Sequence, residues 1–279
     1  MVKLASRIFF CILIILFIFY PVARSDNRNL IFVGDFESRD FSQFTDARWE
    51  HTKKKVDIVT DPVRYGQYAA KLMLDRVKHR DEINYRTDLV PTKGSGYLYQ
   101  NIGHEYWYGF STFIPENWKP DMQSELIAQF HGIEDEGESP RQPMLAIYIY
   151  RENYTIKKRW DSSANSNNTD LDTKNSRRLW SNKVIYDRGR WVDWVFHIKW
   201  SFNADGFVQI WKNDQKIVED QGANCYNDKK GPYFRFGIYK WPWRIDEIQA
   251  PSVVTQRVVY FDEIRIGNKE ANYQLVTSP

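Results

Sequence analysis

Short runs in which apolar and polar residues alternate recur along this chain, and they constrain its fold more than any other feature. In the clearest run, residues 191–200, Trp194 and Phe196 share one face, while Asp193 and His197 occupy the other. Alternation with a period of two predicts a strand with one buried face. No stretch sustains the 3.6-residue period of an amphipathic helix, so the sequence predicts an all-β fold.

Similar runs, separated by turn-forming residues, predict at least ten further strands. They span residues 30–36, 69–74, 80–87, 106–113, 126–131, 144–150, 207–212, 216–218, 233–240 and 258–266. Two stretches rich in turn-forming residues, 134–143 and 161–176, are predicted loops. So many strands without intervening helices favour a single jelly-roll domain over residues 26–279, a concanavalin A-like sandwich of two curved antiparallel sheets.

The first residues have the pattern of a secretory signal peptide. Lys3 and Arg7 precede an uninterrupted apolar run, residues 8–20, and small residues stand where signal peptidase would cut after residue 25. The run falls short of the roughly 20 residues that a membrane-spanning helix needs. We therefore expect a signal peptide over residues 1–25 and a secreted, extracellular protein without a membrane anchor.

The charge balance argues against nucleic acid as a partner. The chain has 39 basic and 36 acidic residues, and Lys3, Arg7 and Arg24 account for the whole surplus. The mature protein would therefore lack the cationic excess that binding to phosphate requires. It would keep one cysteine, Cys225, and so no internal disulfide, and we expect a monomer. Sequons at Asn153 and Asn167 predict a glycoprotein if the host glycosylates.

Three predicted strands each place polar side chains on one face and apolar side chains on the other. The polar rows are Arg80, Glu82, Asn84 and Arg86; Gln129 and His131, with Ile127; and Tyr233, Arg235, Gly237 and Tyr239. Phe130, Phe234, Phe236 and Ile238 are the predicted core residues of two of these strands, together with Leu126 and Ala128. Three such rows predict the wall of a polar groove.

These strands resemble the signature strands of jelly-roll alginate lyases, which carry similar R-x-E, Q-x-H and Y-F-K-x-G-x-Y motifs in the same order. The matching segments here are residues 80–82, 129–131 and 233–240. The wider pattern, including the W-x-x-W-x-x-H-x-K-W-S run from Trp191 and the closing Y-F-D-E-I-R-I-G, is similar to secreted lyases of the heparin lyase I and glucuronan lyase type. The resemblance implies a polysaccharide lyase that cleaves a uronic-acid polymer by β-elimination. Glucuronan-like chains are the first choice, and heparin-like or alginate-like chains remain open.

β-Elimination needs a group that neutralises the uronate carboxylate, a base for the C5 proton and an acid for the leaving oxygen. Arg80, with bidentate geometry, and Gln129, as an amide donor, are predicted to meet the carboxylate. The resemblance assigns the base and acid roles to Tyr239, with His131 as neutraliser or alternative base. Because tyrosine ionises near pH 10, cations must lie close by, and Arg235, Lys240 and Arg80 are the candidates.

Other residues are predicted to support the substrate or a metal ion. Glu82 and Asn84 are candidate orienting groups, and Trp241 is a candidate for stacking on a sugar ring. The acidic residues of the 134–143 loop are expected to lie away from the basic groove. Three acidic residues on the first and last strands, Asp35, Glu37 and Asp262, are candidate ligands for a structural calcium ion.

Two other functions compete with the lyase. A non-catalytic lectin of the same fold would use the arginines and aromatic residues but would not need Gln129, His131 and Tyr239 together. A retaining glycosidase would need two carboxylates about 5 Å apart, and no strand carries the E-x-D-x-x-E pattern that supplies them.

Overall fold

The computed structural model describes residues 27–45, 56–76, 85–166, 175–244 and 251–279. These residues form two antiparallel sheets of eight strands each, and the sheets pack against each other as a jelly-roll sandwich. The predicted fold class is confirmed. Within the described ranges, none of the helices is long and apolar enough to cross a membrane.

The elements follow the chain in this order: β1 (Leu30–Gly34), β2 (Phe44–Thr45), β3 (Val56–Val59), β4 (Ala69–Asp75), β5 (Arg86–Lys93), β6 (Gly96–Tyr97), β7 (Glu105–Phe113), β8 (Asp121–His131), β9 (Leu145–Arg151), β10 (Asn153–Arg159), β11 (Ser176–Lys183), β12 (Trp191–Lys199), β13 (Phe207–Lys212), β14 (Gln215–Gln221), β15 (Tyr233–Tyr239), β16 (Gln256–Gly267) and helix α1 (Tyr273–Val276). Short 3-10 helices span Asn27–Asn29, Val184–Tyr186 and Trp241–Arg244. The first sheet has the order β14-β13-β12-β7-β16-β4-β3, with β1 paired to β16. The second sheet has the order β11-β10-β9-β8-β15-β5-β2, with β6 paired to β5.

Aromatic side chains from both sheets fill the core. Between the sheets, Phe110 packs against Phe234 with ring centroids 5.1 Å apart, and Phe196 packs against Phe130 at 5.5 Å. All four rings are almost completely buried, and burying a ring of this size contributes about 2 to 3 kcal/mol. The alternation that predicted these strands therefore arises from the core between the sheets.

Strand β5 differs from the prediction because both of its faces are covered. It begins at Arg86 and runs to Lys93, whereas residues 80–87 were the predicted strand. Its first six residues are all buried, so it lacks the alternation that marks a half-exposed strand. Strands β10 and β11 were not predicted. Strand β11 begins at Ser176, where the predicted loop 161–176 ends.

A bulge in β8 reverses one part of the predicted alternation. The register with β9 shifts between Leu126 and Ala128, so Ile127 joins the core while Leu126 lines the opposite face. The predicted orientations of Leu126 and Ile127 are therefore wrong. Phe130 remains in the core and His131 on the outward face, as predicted.

Candidate active site

A pocket of about 330 Å³ opens on the face of the second sheet that points away from the core. Three of its lining residues, His131, Tyr239 and Trp241, are predicted site residues. The lining also includes Arg86, which belongs to a predicted polar row, and Arg141, Tyr148 and Arg159, for which the sequence predicts no role. The pocket thus combines three arginines with a histidine, two tyrosines and a tryptophan.

Tyr239 and Arg86 are neighbours on adjacent strands. They lie opposite each other in the pairing of β15 with β5, and the Arg86 guanidinium carbon is 3.9 Å from the centroid of the Tyr239 ring. Tyr239 is only partly buried and lines the pocket. The guanidinium therefore places a positive charge against the ring on which negative charge would develop if the hydroxyl lost its proton.

His131 is held in one tautomer. Its Nδ1 lies 2.6 Å from the carbonyl oxygen of Gly132, and since a carbonyl only accepts, Nδ1 carries the hydrogen and donates it. Nε2 then has a lone pair and accepts hydrogen bonds. Burial, with a smaller effect from the charges of Arg235 and Arg86, lowers the pKa of His131 to about 4. The imidazole is therefore neutral at neutral pH.

Gln129 and Arg235 lie opposite each other on β8 and β15, next to His131 and Tyr233. Both are almost completely buried, at 3 % and 4 % exposure. Arg235 Nε is 3.4 Å from a carboxylate oxygen of Asp88, and Arg86 Nη1 is 3.7 Å from the same oxygen. The two arginines therefore share one carboxylate on the pocket face.

Aromatic residues continue the pocket wall away from Tyr239. Trp241 packs beside Tyr239 with ring centroids 5.8 Å apart, and its ring meets the edge of Tyr148 at 6.3 Å. Arg159 donates a hydrogen bond of 2.6 Å to the Tyr148 hydroxyl oxygen. This wall therefore contains an indole ring at Trp241 and a cation at Arg159.

The loop between β8 and β9 forms another wall, fastened by Arg141. The Arg141 guanidinium forms ion pairs with Glu138 and Asp228 and donates a hydrogen bond of 2.8 Å to the carbonyl oxygen of Ser166. The prediction that the acidic residues of this loop lie away from the groove is therefore wrong for Glu138. Its carboxylate neutralises a cation of the pocket wall.

Lys240 does not have the environment of a substrate-binding residue. Its side chain is completely buried, and Nζ lies 2.7 Å from Asp121 and 3.2 Å from Glu125. Nζ also donates a hydrogen bond to the carbonyl oxygen of Gln123. Strand alternation directs Lys240 away from the face that Tyr239 occupies, so the structure corrects its predicted role to a structural one.

The predicted calcium ligands are already engaged with backbone groups. Asp262 accepts hydrogen bonds from the backbone N–H groups of Arg64 and Tyr65, and Glu37 accepts from Gln67 and Tyr68. Among the described residues, no group of three His, Cys, Asp or Glu side chains has a geometry suited to a metal ion. Calcium binding at Asp35, Glu37 and Asp262 stays a prediction without structural support.

Three predicted site residues, Arg80, Glu82 and Asn84, lie outside the described residues. Their predicted roles remain predictions. The arginine that the structure places beside Tyr239 is Arg86, which shares the same predicted polar row. The R-x-D spacing of Arg86 and Asp88 was the signal available in the sequence, because it puts both side chains on one face of a strand.

Fold and pocket together define the class of protein, a jelly-roll protein with a cationic, aromatic-walled pocket. The chain belongs to the polysaccharide lyase family, whose match covers residues 36–265. It is therefore a polysaccharide lyase, as the resemblance of its strands implied. None of the curated proteins compared with it matches in sequence.

Solved structures of two lyases are similar to this chain. An endo-β-1,4-glucuronan lyase from the fungus Trichoderma reesei is 21 % identical, with a TM-score of 0.71 over 89 % of this chain and 98 % of the other. A family 7 alginate lyase, solved with its product, is 12 % identical, with a TM-score of 0.52 over 78 % of this chain and 85 % of the other. At these identities the similarity shows the jelly-roll fold.

Proposed function

We propose that this lyase cleaves a polymer of uronic acids by β-elimination, with a glucuronan-like chain as its substrate. The observation that carries the proposal is the grouping of Arg86, His131 and Tyr239 around one pocket. The similarity in fold to a glucuronan lyase supports the choice of polymer over heparin-like and alginate-like chains.

The reaction removes the C5 proton and expels the oxygen bonded to C4. The electron pair of the C5–H bond becomes the new C4–C5 double bond, and the C4–O pair leaves with the oxygen, which must gain a proton. The C5 proton is acidic enough only if the adjacent carboxylate is neutralised. We assign this task to Arg86, with the Gln129 amide as a further donor, because a guanidinium is a permanent bidentate partner for a carboxylate.

Tyr239 is the proposed base and acid. Arg86 lies against its ring, and Tyr239 lines the pocket. His131 is a poor base because its pKa is about 4, and efficient proton transfer at neutral pH needs a stronger one. With Nδ1 donating to Gly132, His131 offers Nε2 as an acceptor, and we propose that Nε2 orients a hydroxyl group of the substrate.

Product formation tests the proposal. The protein is incubated with glucuronan, heparin, hyaluronan or alginate, and the ultraviolet absorbance of the unsaturated uronate is followed. We expect the fastest rise on glucuronan. Failure to release unsaturated product from any of these polymers, over the full pH range in which the protein is folded, would sink the assignment.

Two variants test the roles. Tyr239→Phe should lower kcat by at least about a thousandfold because it removes the proton donor and acceptor. His131→Asn, which keeps a polar side chain, should retain more activity than Tyr239→Phe. The opposite order would make His131 the base.

We further propose that the protein is secreted as a monomer after cleavage of residues 1–25. Sequencing the N-terminus of the protein recovered from culture medium tests this, since Asp26 should be the first residue. Retention in the cell with an intact N-terminus would argue against it.

A further inference from the structure

The pocket face contains one carboxylate whose role the proposed reaction leaves unexplained. Asp88 is 1 % exposed and lies between Arg86 and Arg235, with one oxygen 3.7 Å from Arg86 Nη1 and 3.4 Å from Arg235 Nε. A buried carboxylate is costly unless its charge is compensated. Here the compensation comes from Arg86, which lines the pocket, and from Arg235 on the neighbouring strand.

The backbone brings Asp88 to this position through Gly237. Gly237 has a φ of +138° and pairs with Asp88, and a Cβ atom at residue 237 would lie 2.8 Å from the Asp88 Cβ and 2.3 Å from the carbonyl oxygen of Thr87. Any larger residue would push the carboxylate away from the face. The glycine therefore lets Asp88 occupy the space between the two arginines.

The contacts of Asp88 are ion pairs and not hydrogen bonds. Both distances exceed the 2.7 to 3.2 Å of an N–H···O hydrogen bond. Among the described residues, no group donates a hydrogen bond to either Asp88 oxygen. A second carboxylate that offered hydrogen-bond geometry would compete well for these guanidinium groups.

We propose that Asp88 is a positioning residue: it keeps the guanidinium groups of Arg86 and Arg235 in place and competes with the substrate carboxylate for them. This inference rests on the proposed function. The competition weakens binding of the ground-state substrate, and the fixed guanidinium groups favour the enolate that forms in the transition state. An enzyme gains rate only from interactions that are stronger in the transition state than in the ground state.

Asp88→Asn tests the proposal, because it removes the charge and keeps the size. Without Asp88, the guanidinium groups repel each other and bind a carboxylate more freely. We expect oligoglucuronate to bind at least about threefold more tightly, by the added net positive charge, while kcat falls about tenfold. Binding is measured by calorimetry in a Tyr239→Phe background, so that the ligand is not cleaved.

The pH profile of kcat/KM separates this role from a purely structural one. Loss of a negative charge favours deprotonated groups nearby, so both limbs of the profile should move to lower pH by about one unit. Among the described residues, the charged and titratable groups on this face are Arg86 of β5, Tyr97 of β6, His131 of β8 and Tyr233, Arg235 and Tyr239 of β15, with Arg141, Tyr148 and Arg159 lining the adjoining pocket.

Glu263→Gln is the matched control. Glu263 is also a buried carboxylate, with 2 % exposure, and it forms an ion pair with Arg265 on β16 of the other sheet. Its loss should lower stability while leaving binding and both limbs of the pH profile unchanged.

A double variant, Asp88→Asn with Arg235→Gln, covers the case in which Asp88→Asn does not fold. It removes one charge of each sign and so restores the net charge of the face, and its pH limbs should return to the wild-type positions. Two results would overturn the proposal. One is that Asp88→Asn binds oligoglucuronate more weakly and leaves both limbs of its pH profile unshifted. The other is that the limbs of the double variant differ from those of the wild type.

The binding measurement also keeps the two proposals distinguishable, because it does not require turnover. If the wild-type protein releases no unsaturated product while Asp88→Asn binds the oligosaccharide more tightly, the proposed reaction fails, but the competition of Asp88 for the two guanidinium groups is supported.

Discussion

Two clusters of buried charged side chains lie at strand β15. They differ more in their hydrogen bonds than in the kinds of charge that they contain. The pocket cluster consists of Arg86, Asp88 and Arg235, and the corner cluster consists of Asp121, Glu125, Lys240 and Arg257. The corner cluster has equal numbers of each charge, and its contacts are 2.7 to 3.2 Å long. The pocket cluster has one more cation than it has carboxylates, and its contacts are 3.4 and 3.7 Å long.

The difference separates a structural role from a binding role. In the corner cluster Arg257 Nε donates to Glu125, and Asp121 also accepts from Ser252 and the backbone of Val253, so each charge has close partners. A cluster of this kind has little affinity left for an added anion. In the pocket cluster both contacts of Asp88 are longer than hydrogen bonds, and we propose that its cations also meet a carboxylate from outside.

The largest expected effect comes from breaking the pocket cluster at Arg86. Arg86→Gln should lower kcat/KM by about a thousandfold, because it removes the cation that we assign to the substrate carboxylate and the enolate. The free energy of unfolding should change by only about 1 kcal/mol, since Asp88 keeps Arg235 as a partner. Steady-state kinetics and urea denaturation measure the two quantities, and near-normal kcat/KM would remove Arg86 from the mechanism.

The same experiment on the corner cluster should give the reverse result. Lys240→Met leaves two buried carboxylates with fewer partners, so we expect the free energy of unfolding to fall by about 3 kcal/mol. Activity per folded molecule should stay within about threefold of the wild type. A large loss of activity with unchanged stability would return Lys240 to the substrate site and cancel the contrast between the clusters.

A smaller effect concerns His131, whose pKa in the folded state the pocket cluster helps to lower. The pKa is 6.5 for an unperturbed histidine and about 4 here, so below pH 6.5 the unfolded chain takes up a proton that the folded protein does not. Stability is therefore lost as the pH falls from 6.5 towards 4, and this group should account for about 2 kcal/mol of the loss.

Urea denaturation between these pH values measures the effect, with His131→Asn as the comparison. The variant should lose less stability than the wild type over this range. If the free energy of unfolding changed equally with pH in the two proteins, His131 would have its ordinary pKa and the charges of the pocket cluster would not affect it.

The sequence predicts the two clusters unequally well. Alternation identified the β15 face that carries Arg235 and Tyr239, because a period of two reports directly which residues share a face. It does not report partners, and the partners of Lys240, at Asp121 and Glu125, lie more than a hundred residues away along the chain. Lys240 was therefore assigned to the substrate although it is held in the interior.

Loops, bulges and doubly covered strands account for the other differences. Arg141 reaches the pocket from the 134–143 loop, which was predicted from composition alone, and its orientation depends on Asp228 from a distant part of the chain. The bulge at Leu126 has no marker in the sequence. Strand β5 carries Arg86 and Asp88 but is buried on both faces, so periodicity alone does not place its start.

The smallest effect expected is at an exposed ion pair, which provides the baseline for both clusters. Lys183 and Glu152 are 3.0 Å apart, but their side chains are 46 % and 53 % exposed. Water and salt screen such a pair, so Lys183→Gln should change the free energy of unfolding by less than about 0.5 kcal/mol and leave kcat/KM unaltered. Urea denaturation at low and high salt measures this. If Lys183→Gln destabilised the protein as much as Lys240→Met, burial and close hydrogen bonding could not explain the stabilising effect of the corner cluster. The contrast between the corner cluster and the pocket cluster would then lose its physical basis.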